Sequence, residues 1–187
     1  AHGVVFSALL EDTGETVAAK QVCFNTTDPD WEDKLRAVQA EIQILKKIEH
    51  DNIIQYYFTD RAAQVGKSDS QSLPSIFIVM EHASGGSLCQ TIEQFGALGE
   101  KTAALFGAQM LIGLEHLHEN NIIHRDIKPA NCLLSAFGMV KLADFGTAII
   151  TEGDTAGGFV DALEGASPQG TPFYMAPEVI RGEEATP

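Results

Sequence analysis

A carboxylate set in the apolar stripe of a helix is the feature that most restricts how this chain can fold. Asp28-Pro29-Asp30 precedes a run to Glu49 in which, at about 100° per residue, Leu35, Val38, Ile42, Leu45 and Ile48 share one arc. With Val38 as origin, Glu41 lies at about −60°, between Leu45 at about −20° and Ile48 at about −80°. Burying an isolated charge is costly, so this helix needs a cation supplied by another element.

The segments around it supply candidates. Val4 to Leu10 and Thr16 to Phe24 read as the strands of a hairpin around the acidic turn Glu11-Asp12-Thr13-Gly14-Glu15, and Lys20 stands in the middle of the second strand. Ile53 to Phe58 and Ser75 to Met80 are short β-branched and aromatic runs that predict two more strands, with Thr59 to Pro74 a polar surface loop. Small residues follow in Glu81-His82-Ala83-Ser84-Gly85-Gly86-Ser87, and helical patterning dominates from there, above all over Lys101 to Glu119. The expectation is an α+β chain with a β-rich lobe over 1–80, a connecting segment over 81–87 and a mainly helical lobe over 88–187. Thr151 to Gly170 is a Gly, Asp and Ala-rich stretch of low complexity.

Charge excludes several functions. The 26 acidic against 12 basic side chains leave a net −14, a field that repels nucleic-acid backbones and anionic headgroups. The longest runs without an ionised residue, Thr102 to Leu114 and Gly165 to Pro177, are about 13 residues, short of the roughly 18 that span a bilayer. Neither a nucleic-acid partner nor membrane insertion is expected. Three scattered cysteines, Cys23, Cys89 and Cys132, fit a reduced, cytoplasmic setting.

Four separated strings carry the chemistry: Val17-Ala18-Ala19-Lys20, His124-Arg125-Asp126-Ile127-Lys128-Pro129-Ala130-Asn131, Asp144-Phe145-Gly146 and Ala176-Pro177-Glu178. In this order the chain resembles the eukaryotic protein kinases, and the resemblance runs over nearly its whole length. It implies a two-lobed fold that transfers phosphate from ATP with Mg2+. Phosphoryl transfer asks mainly for positioning and for positive charge around the phosphate oxygens. Lys20 would meet the α and β phosphates, and Glu41 is its natural partner, since a carboxylate on the apolar helix face can hold that ammonium. Asp126 would accept the substrate hydroxyl's proton, Lys128 would lie near the transferred group, and Asn131 and Asp144 would bind the metal as hard oxygen ligands.

Read singly, these residues have plainer explanations. Lys20 could point to solvent from a half-exposed strand, Glu41 could be an edge residue, and Asp126 could cap a turn. A turn, however, does not call for His124, Arg125, Lys128 and Asn131 as well. His124 reads as a packed core histidine, implied by the resemblance to stack with Phe145 and with Leu45 and Tyr56. For the nucleotide, Gly3 is the remaining phosphate-loop glycine, Val5, Ala18 and Leu133 match the apolar shelves, and Met80 the back of the pocket. Glu81, His82 and Ala83 match the base-bonding segment, and Ser87 the ribose contact.

Arg125 beside Asp126 implies control by phosphorylation of an activation segment of roughly 35 residues, from Asp144 to Glu178, by an upstream kinase or by autophosphorylation. Thr155 and Ser167 are the acceptor candidates, Phe145 is a switch element, and Thr171 reads as a buttress of the catalytic loop. Lysine at 128 resembles the serine/threonine branch. Gly170 to Ile180 and Ile76 to Leu88 look most like the MAP kinase kinase kinases, whose protein substrates are other kinases. Two features depart from the family pattern: only Gly3 of three phosphate-loop glycines is present, and the sequence stops nine residues after Glu178. The expectation is therefore a fragment whose phosphate loop is incomplete and whose helix over 101–119 exposes apolar surface. The alternative reading is a pseudokinase or scaffold that keeps the fold and nucleotide binding; the presence of Lys20, Glu41, Asp126, Asn131 and Asp144 argues against it.

Overall fold

A computed structural model of the chain describes residues 3–62, 74–151 and 171–181. Strands β1 (Val4–Leu9) and β2 (Thr16–Cys23) form an antiparallel hairpin with Val5 opposite Lys20 and Ser7 opposite Ala18. Gly14 takes a φ of 71°, a left-handed conformation that glycine adopts without steric cost, and so lets the turn close. With β3 (Tyr56–Ala62) and β4 (Ser75–Glu81) the sheet runs in the order β1-β2-β4-β3, antiparallel throughout.

Helix α1 (Trp31–Leu45) follows the predicted stripe and buries Val38, Glu41, Ile42, Ile44 and Leu45. It ends at Leu45, short of the predicted Glu49, because Lys46 and Lys47 close a turn onto the Ile42 and Ile44 carbonyls. Ile48 is still buried beyond that turn, so it extends the apolar face without extending the helix.

The predicted strand over 53–58 is corrected. Ile53 and Ile54 leave the sheet and join β7 (Val140–Leu142), where Ile54 N–H donates to the Leu142 carbonyl and Leu142 N–H to that of Asn52, at 2.9 and 2.8 Å. Their apolar side chains are among the most buried in the protein, which explains a β-like run that does not pair in the sheet. Strand β3 instead starts at Tyr56, shifts register by Tyr57 and continues to Ala62, four residues into the segment predicted as loop.

The remaining described α-helices and strands are α2 (Leu88–Phe95), α3 (Glu100–Glu119), β5 (Ile122–Ile123), β6 (Cys132–Leu134), β7, β8 (Ile149–Ile150) and α4 (Pro177–Ile180). β5 pairs with β8 and β6 with β7, each antiparallel. Ser87 caps α2, its hydroxyl accepting from Gln90 N–H while the Gln90 side chain accepts from Ser87 N–H. One continuous core runs from Val22 and Phe24 through α1 and Leu117 to Leu142 and Phe145. The result is the expected α+β architecture, and α3 exposes Leu105, Leu111 and Ile112 on its outer side. Among the described residues no helix is long and apolar enough to cross a membrane.

Residues 50–54 join the sheet to the helices. Asn52 Nδ2 donates to the Val140 carbonyl at 2.9 Å, and Gln109 Oε1 on α3 accepts from Val140 N–H at 2.7 Å. Gly113 lets α3 approach this junction. A methyl at 113 would lie 2.9 Å from the Asn52 carbonyl oxygen and 3.1 Å from Leu142 Cδ1, whereas one at Gly107, on the same helix, meets nothing within 4 Å. Alanine is the better helix former by about 1 kcal/mol, so the two sites should respond with opposite signs. Gly107→Ala is expected to stabilise by up to about 1 kcal/mol, and Gly113→Ala to destabilise by about 1–3 kcal/mol through overpacking. Urea denaturation of the two variants checks both.

Candidate active site

The alternation of β2 turns Lys20 inward, and the stripe of α1 turns Glu41 toward it. Lys20 Nζ lies 2.6 Å from Glu41 Oε1 and 3.1 Å from Asp144 Oδ1, so one ammonium joins the sheet, α1 and the segment after β7. Lys20 and Glu41 are both nearly inaccessible, and Asp144 is half exposed toward solvent. Burial alone would pull the Lys20 ammonium down, but Glu41 and then Asp144 outweigh it and hold its pKa above the ordinary lysine value. Asp144 is pushed up by burial, yet Lys20 brings it net below the usual carboxylate value. Glu41 Oε2 is buried with no hydrogen-bond partner among the described residues, leaving a polar atom of this bridge unsatisfied.

The second cluster surrounds Asp126. Its Oδ2 accepts from Lys128 Nζ at 2.7 Å and from Asn131 Nδ2 at 2.9 Å, while Oδ1 accepts from both Thr171 N–H and Thr171 Oγ1 at 2.9 Å. Lys128 Nζ also donates to Thr171 Oγ1 at 2.6 Å, and Asn131 Nδ2 to the Asp126 carbonyl at 2.9 Å. Burial raises the Asp126 pKa, but bonds from Lys128 and Thr171 more than reverse it, so the carboxyl sits below its ordinary value and is ionised at neutral pH.

The backbone that carries these groups is strained at both ends. Arg125 and Asp144 each take a φ of 65°, sparsely populated for non-glycine residues. Between them the His124 ring sits 4.9 Å from the Phe145 ring at an interplanar angle of 52°, and its Nε2 is 3.0 Å from the Ala143 carbonyl. Burial drives the His124 pKa below the usual histidine value, against the pull of the Ala143 carbonyl and of Asp144 and Asp126. Phe145 is buried in the core, with Leu45 in the same cluster and Tyr56 packed against it.

Strand pairing brings several of the remaining candidates together. Ala18 pairs with Met80 across β2 and β4, and Val17 with Glu81. Gly85 N–H and the Gly86 carbonyl bond the backbone of Leu134, and Ser87 bridges to Leu133 on β6. His82 and Ala83 complete the segment between, both half-buried. Val5 is exposed on β1, and Gly3 lies so close to β2 that a Cβ would fall 2.6 Å from the Gln21 carbonyl oxygen. Ser87 is largely committed to capping α2. Arg125 Nε donates to the Thr147 carbonyl. Thr155 and Ser167 lie outside the described residues.

Two contacts escape a reading of the sequence. Lys141 is buried on β7 and pairs with Glu81 at 2.8 Å, while Glu81 Oε2 also accepts from Gln55 N–H at 3.3 Å. A lysine between Val140 and Leu142 in an apolar strand was the available signal, of the same kind as Glu41 in its stripe. Thr147 is the other: its hydroxyl donates to the His124 carbonyl at 3.0 Å, and nothing local to residue 147 announces that.

Comparison with known proteins agrees in kind. The chain matches the protein kinase domain over residues 1–187. It is 38% identical over 182 residues to mitogen-activated protein kinase kinase kinase A of Dictyostelium discoideum, covering 96% of this chain and 18% of that protein. It is 38% identical over 185 residues to human mitogen-activated protein kinase kinase kinase 3, covering 98% and 27%. It is also 39% identical over 186 residues to the cytokinesis protein sepH of Aspergillus niger, covering 100% and 12%. The chain thus spans less than a third of each of these relatives.

Two outcomes follow from the charges. Removing one partner of a buried ion pair strands the other, while replacing both with apolar groups does not. Lys20→Met and Glu41→Leu should therefore each destabilise by about 3–5 kcal/mol, and the double variant by clearly less than their sum, as read by a double-mutant cycle in urea. The pH dependence has a definite sign. His124 has a folded pKa below its ordinary 6.5, so its stabilising contribution is complete above that value and is lost as pH falls through the folded pKa, the unfolded chain taking up the proton first. Between pH 6.5 and 5 the urea midpoint should fall, and His124→Phe should fall less steeply over the same window.

Proposed function

The chain belongs to the protein kinase family, and on that premise we propose that it transfers the γ-phosphate of ATP to serine or threonine hydroxyls of protein substrates. The observation that carries this reading is the Asp126 cluster: an ionised carboxylate held by Lys128, Asn131 and Thr171, with a lysine cation at the same point. In this reading Asp126 exchanges one of its present donors for the substrate hydroxyl, orients it and accepts its proton. Lys128, already between Asp126 and Thr171, offers its charge to the transferred group. Lys20, fixed by Glu41, meets the α and β phosphates.

The residues present suit a magnesium ion. Asn131 directs both of its amide bonds at Asp126, which leaves its side-chain oxygen as a hard ligand, and the half-exposed Asp144 carboxylate provides a second. When bound, such an ion draws charge from the phosphate oxygens. Val5, Ala18, Met80 and Leu133 would shelter the adenine, and the backbone of Glu81, His82 and Ala83 would bond its edge. Gly3 would pass over the phosphates, and Ser87 would approach the ribose by way of its capping position.

Regulation fits the same frame. The guanidinium nitrogens of Arg125 beyond Nε would pair with a phosphate placed on the activation segment by an upstream kinase or by autophosphorylation, with Thr155 and Ser167 as acceptors. Phe145 would switch with the segment, and Thr171 would buttress Asp126. The names of the relatives support a substrate that is itself a kinase in a MAP kinase cascade, and the three free thiols suit the cytoplasm.

Transfer from Mg-ATP to a serine/threonine protein acceptor, followed by intact mass in the full-length protein, tests the reading. The parent should phosphorylate the acceptor, and Asp126→Asn should lose at least about 10²-fold in rate while still binding nucleotide. A parent that binds nucleotide yet transfers nothing, even after its activation segment is phosphorylated, would replace this reading with a scaffold.

A further inference from the structure

The lead into the catalytic loop and the start of the activation segment form a ribbon closed at both ends by threonines. Ile123 pairs with Ile149 and Ile122 with Ile150. At the outer end, Thr151 donates to the Asn121 carbonyl from its N–H at 2.8 Å and from its hydroxyl at 3.2 Å. At the inner end, Thr147 donates its hydroxyl to the His124 carbonyl at 3.0 Å and accepts Arg125 Nε at its own carbonyl. Each threonine is fastened beside a left-handed residue, Asn121 at φ 57° and Arg125 at φ 65°.

The two ends differ in what they hold. Asn121 is a turn residue type that tolerates this backbone, whereas arginine does not favour it and must be kept there by its surroundings. Arg125 directly precedes Asp126, so its backbone angles set the direction of the chain that carries the carboxylate bonded to Thr171 and Asn131. Two bonds in opposite directions, one from the Thr147 side chain and one to its backbone, fix residues 124 and 125 against the segment after Gly146.

We propose that Thr147 is a positioning residue, which holds Asp126 in its productive orientation by pinning the left-handed Arg125 to the start of the activation segment. This rests on the reading of Asp126 as the proton acceptor. Thr147 does not touch the reacting atoms; it acts through the catalytic-loop backbone. Thr151 makes the same kind of bond to the same ribbon and serves as an internal control.

The test compares Thr147→Val, Thr147→Ser and Thr151→Val in the full-length protein. Thr147→Val keeps the branched shape and deletes the hydroxyl, so kcat should fall about tenfold with KM for ATP within about twofold. Thr147→Ser should return kcat to within about threefold of the parent, and Thr151→Val should leave it unchanged. Equal losses from the two valine variants, or a serine variant as impaired as Thr147→Val, would overturn the proposal. If the parent itself transfers no phosphate, the kinase reading fails, and amide exchange over residues 121–126 still decides this one. Thr147→Val should speed exchange at Arg125 and Asp126 while Thr151→Val does not, and equal exchange would overturn it.

Discussion

One ammonium group sets the positions of three parts of this molecule. Lys20 is within hydrogen-bond reach of Glu41 on α1 and of Asp144 after β7, so the sheet, the helix and the segment after β7 meet at a single nitrogen. Charges this deeply withdrawn from water are tolerable only while they stay together. A shift of α1 along its axis would leave Glu41 buried without its cation, and for that reason the helix position and the state of Lys20 are one variable. Among the described residues Glu41 Oε2 has no partner, so this bridge is satisfied through one carboxylate oxygen only.

The backbone around Asp126 is held by its neighbours against its own preferences. Arg125 and Asp144 both adopt left-handed conformations, and between them pass the His124 bond to Ala143, the ring contact to Phe145 and the Thr147 bond to His124. Strain of this kind persists only where surroundings over-determine it. The strained backbones at Arg125, directly before Asp126, and at Asp144 are thereby tied together, since His124 bonds Ala143 while Thr147 bonds His124 and Arg125.

How much of this could be read from residues alone depended on whether the signal was local. The hairpin, α1 and α3 follow from alternation, a turn glycine and helical spacing, and Glu41 declared its need for a cation because a carboxylate in an apolar stripe has few alternatives. The residues near Asp126 are close in sequence and so visible as a string. Ile53 and Ile54 misled because β-branched residues look alike whether they pair in a sheet or pack on a distant strand. β5 and β8 have two residues each, too short for any period to register. The Lys141 pair with Glu81 and the bond of Gln109 to β7 arise from a register that only the folded chain defines.

The span of the Lys20 bridge also bears on how the chain is made. Lys20 and Glu41 are 21 residues apart, but Lys20 and Asp144 are separated by 124. At roughly 5–20 residues per second of synthesis, Asp144 leaves the ribosome about 6–25 s after Lys20. Once Glu81 has emerged, midway through that interval, the sheet and α1 are complete in sequence while β7, which receives Ile53 and Ile54, has not been translated. The growing chain therefore carries the apolar side chains of Ile53 and Ile54 without the strand that covers them in the folded protein, the kind of surface that favours association between incomplete chains.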